Sequence, residues 1–134
     1  MDCLRRKVPV LAAAAVALFV VAAPILAHHG TAAFDTAKMV TVKGNITDFQ
    51  YLNPHAQVYF EAKNEKGEME KWQGELTAPN KLGRAGWSKY TLKPGDHVEV
   101  SGYPAKASPH TLWIRKLIGP DGNELQLFED EEVS

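Results

Sequence analysis

Apolar residues follow two different patterns along this chain. Val8–Ala23 is an almost unbroken apolar run, whereas from Val40 onward apolar and polar residues alternate. Alternation with a period of two puts successive side chains on opposite faces, so it predicts half-buried β-strands. In the first strand Val40, Val42, Gly44 and Ile46 share one face, and Thr41, Lys43, Asn45 and Thr47 the other. Gly44 inside it predicts a bulge or bend of the kind that coils the long first strand of a small barrel. Leu52-Asn53-Pro54 ends that strand, because proline has no N–H to donate to a ladder and restricts the residue before it.

Ala56, Val58, Phe60 and Ala62 form the inward face of a second strand, opposed by Gln57, Tyr59, Glu61 and Lys63. The turn string Asn64-Glu65-Lys66-Gly67 joins it to a third, Glu68–Leu76, in which Trp72, Gly74 and Leu76 share a face. Thr77 is the expected cap of a short helix, with Pro79 in its first turn and Gly86 as its terminator. Leu82 and Ala85 are its whole apolar stripe, so one or two turns should lie over a barrel end, with Trp87 beside them. Leu92-Lys93-Pro94-Gly95-Asp96 is a tight turn before a fourth strand whose inward residues are Val98, Val100 and Gly102. After a loop over Pro104–Pro109, Thr111–Ile118 is a fifth strand. Gly119-Pro120-Asp121-Gly122 then turns the chain toward a possible sixth, Asn123–Phe128.

Three strands, a short helix and two or three more strands predict an all-β fold: a small OB-like barrel of five or six strands, with the helix between strands three and four. An open β-sandwich is the alternative. The shared alternation phase assigns Val40, Val42, Ile46, Val58, Phe60, Leu76, Val98, Val100, Leu112 and Ile114 to one core. The corresponding organisation is a leader over 1–27, an N-terminal arm over 28–38, the barrel over 39–128 and an acidic tail over 129–134.

The leader carries the first functional information. Arg5, Arg6 and Lys7 precede the apolar run, and Ile25-Leu26-Ala27 offers a small residue at a cleavage position. This is the layout of a cleavable secretory signal, and it predicts a periplasmic protein with no stable membrane span after cleavage. The run is short and alanine-rich for a span, which needs about 20 strongly apolar residues. Sec export fits better than twin-arginine export, since Val8-Pro9 stands where the latter's hydrophobic pair belongs. Cys3, the one cysteine, falls in the leader, so disulfides and thiolate chemistry are absent from a processed chain. Processing removes three basic residues and one acidic one and leaves 12 against 15, a net charge of −3. That balance argues against nucleic acid as a partner, which calls for a basic face.

The mature region has further distinctive strings. His28-His29, Ala33-Phe34-Asp35, Val42-Lys43-Gly44, Asn53-Pro54-His55-Ala56 and Thr91-Leu92-Lys93-Pro94-Gly95-Asp96 stand out, together with Asn80 and Gly86-Trp87. In these the chain resembles a family of small secreted bacterial proteins of unknown function. The resemblance covers nearly all of the mature chain and implies export and a small β-domain. It implies no activity.

Cleavage after Ala27 exposes an α-amine on His28, next to His29. Amine and imidazole nitrogens suit copper, nickel and zinc, and a tetragonal nitrogen set favours Cu(II). A distal imidazole would complete the set, and His55 is the best candidate, in a first loop stiffened by Asn53-Pro54. The ligands resemble the histidine brace of secreted copper oxygenases and periplasmic copper carriers, whose fold is a different sandwich. A plain polar start at His28 and a locally hydrogen-bonded His55 are the simpler alternatives. His97 and His110 read as a surface strand residue and a loop residue.

Asn53, Tyr59 and Trp72 are candidate ligand-contact residues on the barrel. Nucleophile-elbow, zinc-protease and phosphate-loop motifs are missing, and no carboxylates stand at a defined separation, so the expected function is binding rather than catalysis. The expected activity is binding or delivery of copper through His28, His29 and His55, with a metal ion or an envelope protein as partner. A metal-free envelope adaptor using the face near Tyr59 and Trp72 is the alternative.

Overall fold

The computed structural model describes residues 31–128. Within them five strands, β1 (Val40–Gln50), β2 (Gln57–Lys63), β3 (Met69–Glu75), β4 (His97–Pro104) and β5 (Thr111–Ile118), close into a barrel in the order β1-β2-β3-β5-β4. One helix, α1 (Pro79–Arg84), lies between β3 and β4. This is the OB-like barrel expected from the alternation, and the open sandwich does not form.

β1 serves both halves of the barrel. Val40–Asn45 pairs with β4, and Asn45–Gln50 pairs with β2 across a register shift between Ile46 and Asp48. Gly44 sits just before the hand-over. A Cβ there would collide with the carbonyl oxygen of Glu61, so a close backbone approach is what requires glycine. The Lys93–Asp96 turn docks at the same place: Ile46 N donates to Asp96 O at 2.8 Å and Gly95 N donates to Ile46 O at 2.8 Å. The buried Asp96 carboxylate closes that turn by accepting from Lys93 N at 3.1 Å. The Leu-Lys-Pro-Gly-Asp string is therefore a fold device that fixes the bend of β1.

Every ladder is antiparallel except β3–β5, a parallel one of three pairs, Gln73↔Thr111, Gly74↔Leu112 and Glu75↔Trp113. Inside the barrel Ile46, Val58, Phe60, Leu76, Val98, Val100, Leu112 and Ile114 are buried as expected, with Val40 and Val42 half-buried at the margin. Leu82, Trp87, Leu92, Leu117 and Leu127 extend the core beyond that set. Leu117 escapes simple alternation because β5 has an extra residue, Arg115, between the pairs Gly102↔Ile114 and Ser101↔Lys116. The bulge resets the inward phase by one.

Two expectations are corrected. The N-cap of α1 is Ala78, in extended conformation and with no side-chain cap bond, rather than Thr77. Pro79 at the first helical position has no N–H that would need capping, and Asn80 Oδ1 accepts from Lys81 N at 2.9 Å. Gly86, with φ +96°, ends the helix as expected. The sixth strand over Asn123–Phe128 does not form; a single bridge, Ile118↔Glu124, is all that pairs there. The chain then leaves β5 to bury Leu127 and to present Gln126 O, which accepts from the Trp87 indole N–H at 2.7 Å. In the preceding turn the Asn123 side chain and backbone N–H donate to Asp121, holding its carboxyl below the usual carboxylate range.

The N-terminal arm is more ordered than its lack of periodicity implied. Thr31–Ala33 forms a 3-10 turn, Phe34 bridges Ala105, and Asp35 N and Lys106 N bond Pro104 O and Ala33 O at 2.8 and 3.0 Å. Phe34 is buried. Residues 1–30 and 129–134, and with them the leader, His28, His29 and the acidic tail, lie outside the described residues. No described helix is long and apolar enough to cross a membrane.

Candidate functional site

β2 and β3 form the wall that flanks the β1–β2 and β4–β5 loops. Their cross-strand pairs sort every side chain to one surface. Val58↔Gly74 and Phe60↔Trp72 face inward, while Gln57↔Glu75 and Tyr59↔Gln73 face outward. On the outer surface Gln73 Nε2 donates to Gln57 Oε1 at 3.0 Å.

His55 lies in the β1–β2 loop, two residues before Gln57. Since Gln57 is opposite Glu75, His55 stands one diagonal step from that carboxylate. Its Nδ1 bonds Glu75 Oε1. The histidine side chain is 36% exposed and the glutamate 16%, so the pair is set into the outer surface with the carboxylate underneath. Nε2, the nitrogen farther from the backbone, has no partner among the described residues. A carboxylate on one imidazole nitrogen fixes the ring and leaves the other for a ligand, the arrangement common around metal-ligating histidines. Tyr51 steadies the loop from behind by donating to Pro79 O at 2.7 Å. Asn53 is exposed at the loop tip, and its peptide bond to Pro54 is cis.

Tyr59 and Trp72 do not share a surface. Tyr59 faces outward on β2, whereas the Trp72 ring stacks on Phe60 inside the barrel wall at 6.2 Å and 17°. The joint face expected from them is not formed. On its free side Trp72 meets the His110 ring at 4.7 Å. His110 Nε2 is 3.2 Å from Glu70 Oε2, and Glu70 Oε1 accepts from Asn64 Nδ2 at 2.9 Å. His110 has left-handed backbone, φ 55°, and its carbonyl accepts from Gln73 N at 2.9 Å. The described residues bring no three His, Cys, Asp or Glu side chains together as a metal site.

A second outer cluster continues the surface beyond Glu75. Trp113, its β5 neighbour, packs against Phe34 at 6.0 Å and Tyr103 at 5.7 Å. The Arg115 guanidinium lies 5.0 Å from Trp113 and 4.9 Å from Phe128. Neither Glu75 as the partner of His55 nor Phe34 as an anchor was expected from the sequence. The first was within reach, because the hairpin turn sets the Gln57↔Glu75 register.

The fold is a closed, OB-like five-stranded barrel with one short helix between β3 and β4. The chain belongs to the family of unknown function DUF6152, whose description matches residues 15–112. No curated protein matches it. Among solved structures it is similar to TiaS in a complex with tRNA and ATP, at 21% identity and TM-score 0.43, over 64% of this chain and 19% of that one. It is also similar to a small single-stranded DNA-binding protein from Streptomyces coelicolor, at 15% identity and TM-score 0.39, over 60% and 88%. A third is the N-terminal domain of PriB from Thermoanaerobacter tencongensis, at 14% identity and TM-score 0.38, over 62% and 96%. The chain spans about a fifth of the TiaS chain it matches.

These neighbours correct the partner assignment made from charge, which admitted a metal ion or an envelope protein and excluded nucleic acid. The barrels similar to this one include a single-stranded DNA-binding protein and a chain solved with tRNA.

Proposed function

We propose that this chain is an exported binding module that holds a Cu(II) ion between the start of the processed chain and the β1–β2 loop. His28 contributes its α-amine and imidazole, His29 a further nitrogen and His55 its Nε2. The observation that carries this reading is the His55–Glu75 pair, which turns a loop histidine into an oriented, half-exposed donor. The donor set is all nitrogen, which Cu(II) prefers among the divalent ions. The proposal takes the remaining donors from His28 and His29, which lie outside the described residues. Export to the periplasm is part of the same proposal, because the amine exists only after cleavage at Ala27. The adaptor alternative loses the face it needed, since Tyr59 and Trp72 lie on opposite sides of the wall.

The test is calorimetric titration of Cu(II) into the chain beginning at His28 and into the same chain extended by one residue. Extension leaves the barrel intact but turns the amine into an amide, which should weaken binding substantially. Equal affinity for the two chains would overturn the proposal.

A further inference from the structure

We propose that the outer face of β5 carries a phosphate site in which a bulge sets Arg115 beside Lys116. Its ligand is a small phosphomonoester bearing an aromatic group. The site is independent of the metal reading above and lies wholly within the described residues. Ile114 and Leu117 are both buried, so the two residues between them both stay on the outer surface. Regular alternation would send one of the two inward. The extra residue opposite β4, between the pairs Gly102↔Ile114 and Ser101↔Lys116, turns both cations out instead. Adjacent like charges repel, and among the described residues neither Arg115 nor Lys116 has an ion pair with an acid. The acids that strand pairing brings near are Glu75, opposite Trp113, and Glu99 and Glu124, both opposite Ile118. Glu75 is engaged by His55 and Glu99 by Lys43.

Aromatic rings, rather than an acid, hold the Arg115 guanidinium. Its central carbon lies 4.9 Å from the Phe128 ring centre, 5.0 Å from that of Trp113 and 5.7 Å from that of Tyr103. Trp113 and Tyr103 meet edge to face at 5.7 Å, and Phe34 packs on Trp113 at 6.0 Å, so the frame is itself braced. Rings attract a guanidinium without consuming its N–H donors, and the fork remains for an oxyanion, which it can grip through two parallel bonds. Lys116 adds a second charge beside it. Two cations match a phosphomonoester, with a charge of about −1.5 to −2 at neutral pH, better than a carboxylate or a phosphodiester. Phe128, 43% exposed, gives the ester's aromatic group a ring to lie against.

The experiment titrates the full chain with inorganic phosphate, phenyl phosphate and a short oligothymidylate in the parent, Arg115→Gln, Arg115→Lys and Lys116→Gln. Binding is followed by NMR at the Trp113 indole N–H in all four proteins, and also at the Arg115 Nε–H where it is present. Phenyl phosphate is expected to bind tightest and to shift both signals of the parent. Arg115→Gln and Lys116→Gln should each weaken it about tenfold or more, as for a lost hydrogen bond to a charged group. Arg115→Lys keeps the charge without the fork and should recover only part of that affinity. If Arg115→Gln lowers the melting temperature, Lys116→Gln, at an exposed position, decides alone. Unchanged affinity in Lys116→Gln, or full recovery by Arg115→Lys, overturns the site. Equal affinity for inorganic and phenyl phosphate overturns the aromatic ligand. Binding of the oligothymidylate without either phosphate overturns the small-molecule assignment.

Discussion

The two ends of β3 hold the same two residue types in opposite roles. At one end Glu75 bonds Nδ1 of His55, on the outer surface, and the distal nitrogen has no partner among the described residues. At the other end Glu70, on the inward phase of the strand, engages the distal nitrogen of His110, whose ring lies against Trp72 at 4.7 Å. Glu70 is tied in addition to Asn64, and His110 lends its carbonyl to Gln73. The first pair orients the His55 ring on the outer surface; the second fastens the β4–β5 loop to the β2–β3 hairpin. Residue type alone therefore does not mark a ligand. The two pairs differ in which nitrogen is engaged and in which face of the strand carries the acid.

The comparison can be broken most completely by removing the wall that both pairs share. Val58→Asp places an unpaired carboxylate opposite Gly74, at a cost of several kcal/mol. Cooperative unfolding should disappear in urea, and both histidine environments should collapse together in NMR spectra. A cooperative, unshifted transition would show that β2 and β3 do not carry the pairs.

The next largest effect separates them. His55→Ala should weaken Cu(II) binding by about tenfold or more while leaving stability within about 0.5 kcal/mol, as for a surface change. His110→Ala should do the reverse, leaving Cu(II) affinity nearly unchanged and costing about 1 kcal/mol in urea unfolding through its lost polar and ring contacts. Exchanged outcomes would assign the donor to the wrong end of β3. Glu75→Gln sharpens the distinction. It keeps the shape of the acid but weakens its hold on the imidazole, so affinity should fall by about tenfold with little change in stability. The smallest effect is that of Glu70→Gln, a few tenths of a kcal/mol, which should fade further in high salt because the pair is partly exposed.

The strands were legible because alternation and turn residues speak the same language locally. Thr111–Ile118 has the bounds read from sequence, and eight of the ten proposed core residues are fully buried. What failed depended on partners distant in sequence. Asn123–Phe128 looks like a strand, but the Trp87 indole and a core site for Leu127 draw it away from β5. The phase of Leu117 follows a bulge opposite β4 that no local pattern announces. The site divides the same way. His55 was readable as a stiff-loop histidine, whereas its distinction from His110 rests on Glu75 and Glu70, which differ by the parity of their position in β3. Phe34 was unreadable, because an anchor made by one side chain has no period.

The parallel seam between β3 and β5 gives this surface a place in folding as well as in binding. Its three pairs join residues far apart in sequence, and such pairing is slow to form and slightly weaker per residue than the antiparallel ladders around it. Local hairpins can assemble before it, but Trp113 comes beside Glu75 only when the barrel shuts. The socket for the N-terminal arm is therefore complete only in the closed molecule. Amide exchange at residues 73–75 should report how often it opens, and any ligand that needs the closed barrel will slow that opening in proportion to its affinity.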